Sequence, residues 1–349
     1  MGALGNITVV AGTFLAGLAV LVLLCWAWLL LRLLRRGHNP RRPLTLGTLA
    51  VLLTLALAAD LVNSYYSYLP NVSDVLDAAE MNAPAHYQPG TSPAPRAPVR
   101  HGELVRLRIP DRGSGFGRTD AWVWLPAVYF SQPARRLPVV YVFHGSPGQP
   151  KDWFHGGNAG RIAATEPAPV IVVAPQLSKN WLDDSECVDG IHEKVETHLL
   201  RDVIPTVDAQ LRTIPTRAGR IFAGMSAGGF CALNLGLRHR DLTATVLDFS
   251  GETRPTHAGG ERALFGADTT AAAQNSPASY AGSLHGGPPM RIWLDCGTDD
   301  RSVLSQLRAI APVLRADGMT VQLHVRPGGH SYSVWRPAFA ASLRWALTS

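Results

Sequence analysis

Ten residues constrain this chain more tightly than any other stretch of it. Ile221, Phe222 and Ala223 read as the end of a buried strand, Gly224-Met-Ser-Ala-Gly228 follows at once, and helix-forming residues continue from Gly229 and Phe230. A serine in Gly-x-Ser-x-Gly sits on a sharp strand-to-helix turn, with glycines at two positions where side chains would collide. Five letters recur by chance in a chain with 33 glycines, so the pattern gains meaning only from its context. That context is a strand before it, a helix after it, and an acid and a histidine downstream.

From residue 101 the strand and the helix are both legible. Glu103–Ile109 and Ala121–Leu125 alternate as an opening antiparallel pair, joined by a Gly-rich turn at Gly113–Gly117. Pro138–Phe143 and Val170–Ala174 are unbroken apolar runs, as expected of strands buried on both faces of a mostly parallel sheet. The pattern then predicts a helix over Lys194–Leu211, a strand over Arg220–Ala223, a helix over Ser226–Arg238 and a strand over Ala244–Phe249. Met290–Asp295, a helix near Val303–Ala316, Thr320–Val325 and a helix near Val334–Leu347 complete it. About eight strands with helices between the later ones predict an α/β, doubly wound sheet, and Ser226 follows the fifth strand.

Two loops at the C-terminal ends of later strands supply the partners, on the edge where open α/β sheets place ligands. One is Asp295-Cys-Gly-Thr-Asp-Asp300, the other Arg326-Pro-Gly-Gly-His330. Serine, then acid, then histidine is the chain order of the α/β-hydrolase fold. A serine hydroxyl is a weak nucleophile until an imidazole takes its proton, and a carboxylate fixes that imidazole's tautomer. His330 is the base in this reading and Asp300 the acid. Asp299 is its neighbour, Asp295 belongs to the strand, and Asp248 after the sixth strand is a weaker alternative. The oxyanion needs donors too: in this fold one backbone N–H comes from the residue after the nucleophile, Ala227, and the other from the loop after the third strand, here Ser146. His144 precedes the nucleophile and shapes that loop.

The first 69 residues are different in kind. Ile7–Leu31 is 25 residues without a charge, long enough to cross a hydrocarbon core of ~30 Å. Arg32, Arg35, Arg36, Arg41 and Arg42 follow, then a second apolar run from Leu44 to about Val62 containing Asp60, and a cluster at Tyr65, Tyr66 and Tyr68. These features predict a transmembrane hairpin with spans over about 7–31 and 44–62. Its arginine loop would be cytoplasmic by the positive-inside rule, so everything after residue 70 would be extracytoplasmic. Residues 70–100 hold six prolines and read as a semi-rigid tether, with room for a short helix near Ser73–Asn82. The formal charge of +6 over 349 residues lacks the density of a nucleic-acid binder. Beyond Cys25, three cysteines remain, Cys187, Cys231 and Cys296. One bridge among them is open, and no Cys-x-x-Cys metal spacing occurs.

Residues 101–349 resemble the putative-esterase family of α/β-hydrolases, which includes esterase D, feruloyl esterases and the antigen 85 mycolyltransferases. The resemblance is carried by His144-Gly-Ser-Pro-Gly148, by Asp184-Ser-Glu-Cys-Val188 and by Arg201-Asp-Val-Ile-Pro205. Gly224 through His239, Cys296-Gly-Thr-Asp-Asp300 and Gly329-His-Ser-Tyr-Ser-Val-Trp335 complete it. It implies Ser226 as nucleophile, Asp300 as acid and His330 as base. Asp299-Asp300 stands where the mycolyltransferases carry a glutamate, a departure from acyl transfer to trehalose.

The connection from Gly251 to Pro289 is too long for an ordinary loop and predicts a cap, in which Leu264, Phe265, Tyr280 and Leu284 either line an acyl pocket or fasten the cap to the sheet. Asp183, Asp184, Glu186 and Asp189 lack the spacing of a calcium loop and read as structural or substrate-edge residues, so no metal or cofactor is expected. The whole predicts a membrane-anchored serine esterase acting on an ester, of an envelope lipid or glycan. Acyl transfer to an alcohol is the enzymatic alternative, and an acyl-binding scaffold without catalysis the alternative of another class.

Overall fold

The computed structural model describes residues 12–34, 41–72, 74–75, 84–88 and 102–348. They fall into two compact units, Met1–Asn82 with Ser331–Ser333, and Ala83–His330 with Val334–Ser349.

The first unit is two apolar helices, α1 (Gly12–Leu34) and α2 (Arg41–Tyr66). They pack through the buried Val22, Leu29 and Ala50, and Trp26 Nε1 donates to Thr54 Oγ1 at 3.0 Å. Leu21, Leu23, Leu24, Leu52, Leu55 and Leu61 point outward, all more than half exposed. Of the two expected spans, one has the length among the described residues: Gly47–Tyr66 has 20 residues, about 30 Å at the helical rise. Within the described residues the apolar part of α1 is Leu15–Leu31, about 25 Å at the helical rise. Ile7–Ala11 and Arg35–Pro40 lie outside the described residues, as does most of the short helix read near Ser73–Asn82.

In the second unit one sheet of eight strands forms the frame. They are β1 (Glu103–Ile109), β2 (Thr119–Leu125), β3 (Val139–Phe143), β4 (Ile171–Ala174), β5 (Arg220–Met225), β6 (Thr245–Phe249), β7 (Arg291–Gly297) and β8 (Thr320–Arg326). Their spatial order is β1-β2-β4-β3-β5-β6-β7-β8. β2 is antiparallel to β1 and β4, and every later pairing is parallel. β3, β4, β5 and β6 are buried at every position, which is why they read as continuous apolar runs rather than alternations.

Two expectations are corrected. The tether read over 70–100 is not free throughout: residues 84–88 run along β1, with Tyr87 N donating to Arg106 O (2.8 Å) and Arg106 N to Ala85 O (2.9 Å). The single helix read over Lys194–Leu211 is interrupted. An α turn (Val195–Thr197) opens into a π-helical stretch (His198–Val203) before α-helix resumes at Ile204–Gln210. Pro205 lacks the N–H that would carry the ladder through. The π stretch presents Asp202 to Arg112 N (2.7 Å) and His198 Nδ1 (2.8 Å), and Ser114 Oγ also donates to it. That buried network fastens the Gly-rich β1–β2 turn to the helix.

Candidate active site

β5 ends in the turn that the Gly-x-Ser-x-Gly pattern predicts. Ser226 has φ 56° and ψ −127°, a strained conformation for a residue with a Cβ, and the helix Ala227–Arg238 begins at the next residue. Two glycines make the turn possible. A Cβ on Gly224 would lie 1.8 Å from Gly228 O, and one on Gly228 2.1 Å from Phe143 O. The serine backbone is pinned from the neighbouring strand, its N–H donating to Phe249 O at 2.9 Å.

The β7 and β8 loops deliver the partners. His330 Nε2 lies 2.8 Å from Ser226 Oγ, and His330 Nδ1 lies 2.6 Å from Asp300 Oδ2. Asp300 stands just before the helix Arg301–Ala316. Trp335 meets the edge of the His330 ring with centroids 4.9 Å apart, and its indole N–H donates to Ser250 Oγ at 3.1 Å. Ser250 is buried and at positive φ (55°). Its backbone placement has no signature in the sequence, whereas Trp335 is the last residue of the His330 motif.

The other acids are elsewhere. Asp295 is fully buried and held by Arg326 Nε (2.8 Å) and Trp293 Nε1 (3.2 Å); burial nevertheless raises its carboxyl to about 6. Asp299 meets Thr298 Oγ1. Asp248 is fully buried, accepts from Gly251 N at 2.7 Å, and its carboxyl is pushed well up by burial. His144 is buried, its Nδ1–H donates to Gly145 O (2.8 Å), and burial lowers its pKa. It therefore stays neutral and holds the loop.

That loop, the start of the Ala227–Arg238 helix and the stretch from Asp183 to Cys187 line a small open cavity of about 10 Å³, with Gly145, Ser146, Asp184, Glu186 and Ala227 among its residues. A Cβ on Gly145 would sit 3.3 Å from Ser226 Cβ, so the cavity adjoins the nucleophile. Ser146 and Ala227, the two expected oxyanion donors, thus line one space. The Ala227 N–H, in the first helical turn, has no intrahelical partner. Next to it a groove of about 250 Å³ runs between Leu182, Asp184, Ile191, Glu193, His257 and Leu264.

Cys187 pairs with Cys231, which settles the bridge that the spacing left open; Cys296 is buried and free. The 251–289 connection forms three short helices, Glu261–Phe265, Thr269–Gln274 and Pro277–Tyr280. Phe265 packs with Val188, Phe230 and Ala272, Tyr280 donates to Asn234 Oδ1 at 2.9 Å, and Leu284 packs against the main core. Those three fasten the cap, and only Leu264 reaches the groove. The acids at 183–189 diverge. Asp189 accepts from Thr197 N and Oγ1 (2.9 and 2.5 Å), Asp183 from Asn180 Nδ2 (2.8 Å), and Glu186 from Thr256 (2.7 Å). Among the described residues no group of three or more such side chains is placed to hold a metal ion.

Known proteins share this fold and sequence. The family model described as "Putative esterase" matches residues 117–346. An uncharacterised protein of Corynebacterium glutamicum is 29% identical over 348 residues, covering 95% of this chain and 80% of that protein. An esterase of Mycobacterium tuberculosis (strain H37Rv) is 27% identical over 273 residues, 66% of this chain and 59% of the esterase. The chain therefore spans under two thirds of that relative. A solved ferulic acid esterase superposes with a TM-score of 0.62 at 23% identity, over 71% of this chain and 98% of its own. The chain belongs to the putative-esterase family of α/β-hydrolases and is a serine hydrolase.

Proposed function

We propose that this chain is a membrane-anchored serine esterase that acts through an acyl-enzyme on an ester of an extracytoplasmic envelope lipid or glycan. The observation that carries the reading is the unbroken hydrogen-bonded path from Ser226 Oγ through His330 to Asp300, at 2.8 and 2.6 Å. His330 Nε2 takes the Ser226 proton as Oγ attacks the ester carbonyl, and Asp300 accepts from Nδ1–H and stabilises the imidazolium. The Ser146 and Ala227 N–H groups receive the oxyanion. The alcohol leaves with the proton from His330, and water, activated by the same imidazole, releases the acid.

Anchoring rests on Gly47–Tyr66, apolar and long enough to span, and on the outward-facing leucines of both N-terminal helices. Placement of the catalytic unit outside rests on the arginines at 32–42 and on the Cys187–Cys231 bridge, since disulfides persist in oxidising compartments. An amphiphilic ester suits the groove, where Leu182, Ile191 and Leu264 alternate with Asp184 and Glu193.

The test is hydrolysis of p-nitrophenyl esters and fluorophosphonate labelling by the full chain in membranes, with Ser226→Ala beside it. Loss of both in the variant is expected. Full activity without Ser226 would sink the catalytic reading, and protease protection placing residues 101–349 in the cytoplasm would sink the topology.

A further inference from the structure

His144 follows β3 directly, and its ring spends its hydrogen bond on a carbonyl of the loop it begins. Nδ1 lies 2.8 Å from Gly145 O. A carbonyl oxygen only accepts, so Nδ1 carries the hydrogen and Nε2 is the bare nitrogen. Nε2 is buried and, among the described residues, has no hydrogen-bond partner, so a second proton there would be buried unpaired. Burial accordingly lowers the pKa, against an opposite pull from Gly145 O and Asp152. The imidazole is a neutral donor with one target.

That target is half of a peptide unit whose other half is the Ser146 N–H. The Gly145–Ser146 peptide is trans, so its C=O and N–H point in opposite directions within one plane. Holding the carbonyl on the imidazole turns the N–H away from it. Among the described residues the Ser146 N–H has no hydrogen-bond partner, and Ser146 lines the cavity with Ala227. The peptide stands close to the nucleophile, since a Cβ on Gly145 would lie 3.8 Å from Ser226 Oγ.

The imidazole can fix this peptide because its own backbone is fixed. Phe143 O accepts from Trp153 Nε1 at 2.8 Å. A Cβ on Gly228 would meet Phe143 O at 2.1 Å and His144 O at 2.6 Å, so residues 143–144 rest on the first turn of the helix after Ser226. On the loop's other side, a Cβ on Gly148 would lie 2.4 Å from Gly145 O and 3.1 Å from His144 Nδ1. Carbonyl and donor are thus packed under a residue without a side chain. Gly145 itself offers little resistance to rotation of the peptide. Without the imidazole the carbonyl is free to turn toward the cavity, where it would repel an oxyanion rather than stabilise it.

We propose that His144 is a positioning residue for ester hydrolysis: its Nδ1–H holds the Gly145–Ser146 peptide in the orientation that offers the Ser146 N–H to the oxyanion. It acts through that peptide and not on the substrate. The proposal rests on Ser226 as nucleophile and on the Ser146 N–H as an oxyanion donor. Because the oxyanion exists only after attack, the effect belongs to kcat and not to KM.

The test uses the full chain in membranes, with p-nitrophenyl butyrate as substrate. A trifluoromethyl ketone of matching chain length is the probe, because its adduct with Ser226 carries an oxyanion. His144→Asn keeps an N–H near the Nδ1 position, His144→Gln carries its amide one bond further out, and His144→Leu keeps only bulk. The Leu and Gln variants should lose about 10- to 100-fold in kcat with KM unchanged, somewhat less than deletion of an oxyanion donor costs. Their affinity for the ketone should fall by the same factor, which a merely structural role would not produce. Asn should restore kcat to within about fivefold of wild type. A Leu variant with wild-type kcat, an Asn variant as impaired as Leu, or a fall in kcat with ketone affinity unchanged overturns the proposal. If Leu does not fold, the contrast between Asn and Gln decides alone. Ser226→Ala run beside them keeps the two failures apart: hydrolysis that survives in it sinks the nucleophile, whereas its loss beside unimpaired His144 variants sinks the positioning role alone.

Discussion

The Cys187–Cys231 bridge joins the loop that carries Glu186 to the helix that begins one residue after Ser226. It closes 44 residues of chain and so fixes one wall of the cavity beside Ser226, the proposed oxyanion site, to the helix that follows that serine. In the chain-entropy account a loop of that length removes about 4 kcal/mol of freedom from the unfolded state.

Cys231→Ser should therefore lower the melting temperature by about 10 °C, given the entropy of unfolding for a domain of this size. Reductant should do the same to wild type and nothing further to the variant. Differential scanning calorimetry with and without dithiothreitol checks it, and an unchanged wild-type transition on reduction counts against the bridge as a stabiliser.

Asp300 and Asp248 separate by role. Asp300 meets His330 Nδ1 at 2.6 Å, whereas Asp248 is sealed in the core and bonded to Gly251 N. Asp300→Asn should cost about 10³–10⁴-fold in kcat by leaving the imidazole in the wrong tautomer. Asp248→Asn keeps the acceptor for Gly251 and should retain kcat within about threefold, because the native carboxyl already holds its proton. Steady-state hydrolysis by both variants decides it, and the reverse ranking would reassign the acid.

Trp335 stands edge-on to His330, the proposed base, with ring centroids 4.9 Å apart. Trp335→Phe keeps a ring edge near His330 but removes the bond to Ser250 Oγ (3.1 Å), about 1 kcal/mol of hydrogen bonding. A fall in kcat of about three- to tenfold with KM unchanged is expected. A change confined to KM would instead place Trp335 in substrate binding.

Much of this site is legible without coordinates because its residues sit at strand ends. Ser226, Asp300 and His330 follow β5, β7 and β8 directly, and the continuous burial of β3 to β6 writes those strands as apolar runs. Glu186 is different. Its surroundings come from Thr256, Glu252 and Ala227, none within 40 residues of it, so no spacing announces a buried acid there. Ser250 is similar, because its positive φ is imposed by its packing. The π stretch at His198–Val203 was hidden by an apolar spacing that an unbroken helix would share. The expected span over 7–31 is covered only in part, because residues 7–11 lie outside the described residues.

The buried carboxyls also set how stability follows pH. Glu186 holds its proton up to about 8 and Asp295 up to about 6, both above the ordinary carboxyl range near 4. Between those limits the folded chain binds more protons than the unfolded chain, so stability falls as pH rises. The contribution is fully present below about pH 4; Asp295's share is lost through 6 and Glu186's through 8. The melting temperature of wild type should therefore drop between about pH 5 and pH 8.5. Glu186→Gln cannot titrate there and should show a shallower drop, lacking the part through 8. Melting curves of the two proteins in matched buffers measure the difference. Equal slopes would mean that Glu186 titrates in the fold as it does in the unfolded chain, which its burial beside Asp184 and Glu252 does not permit.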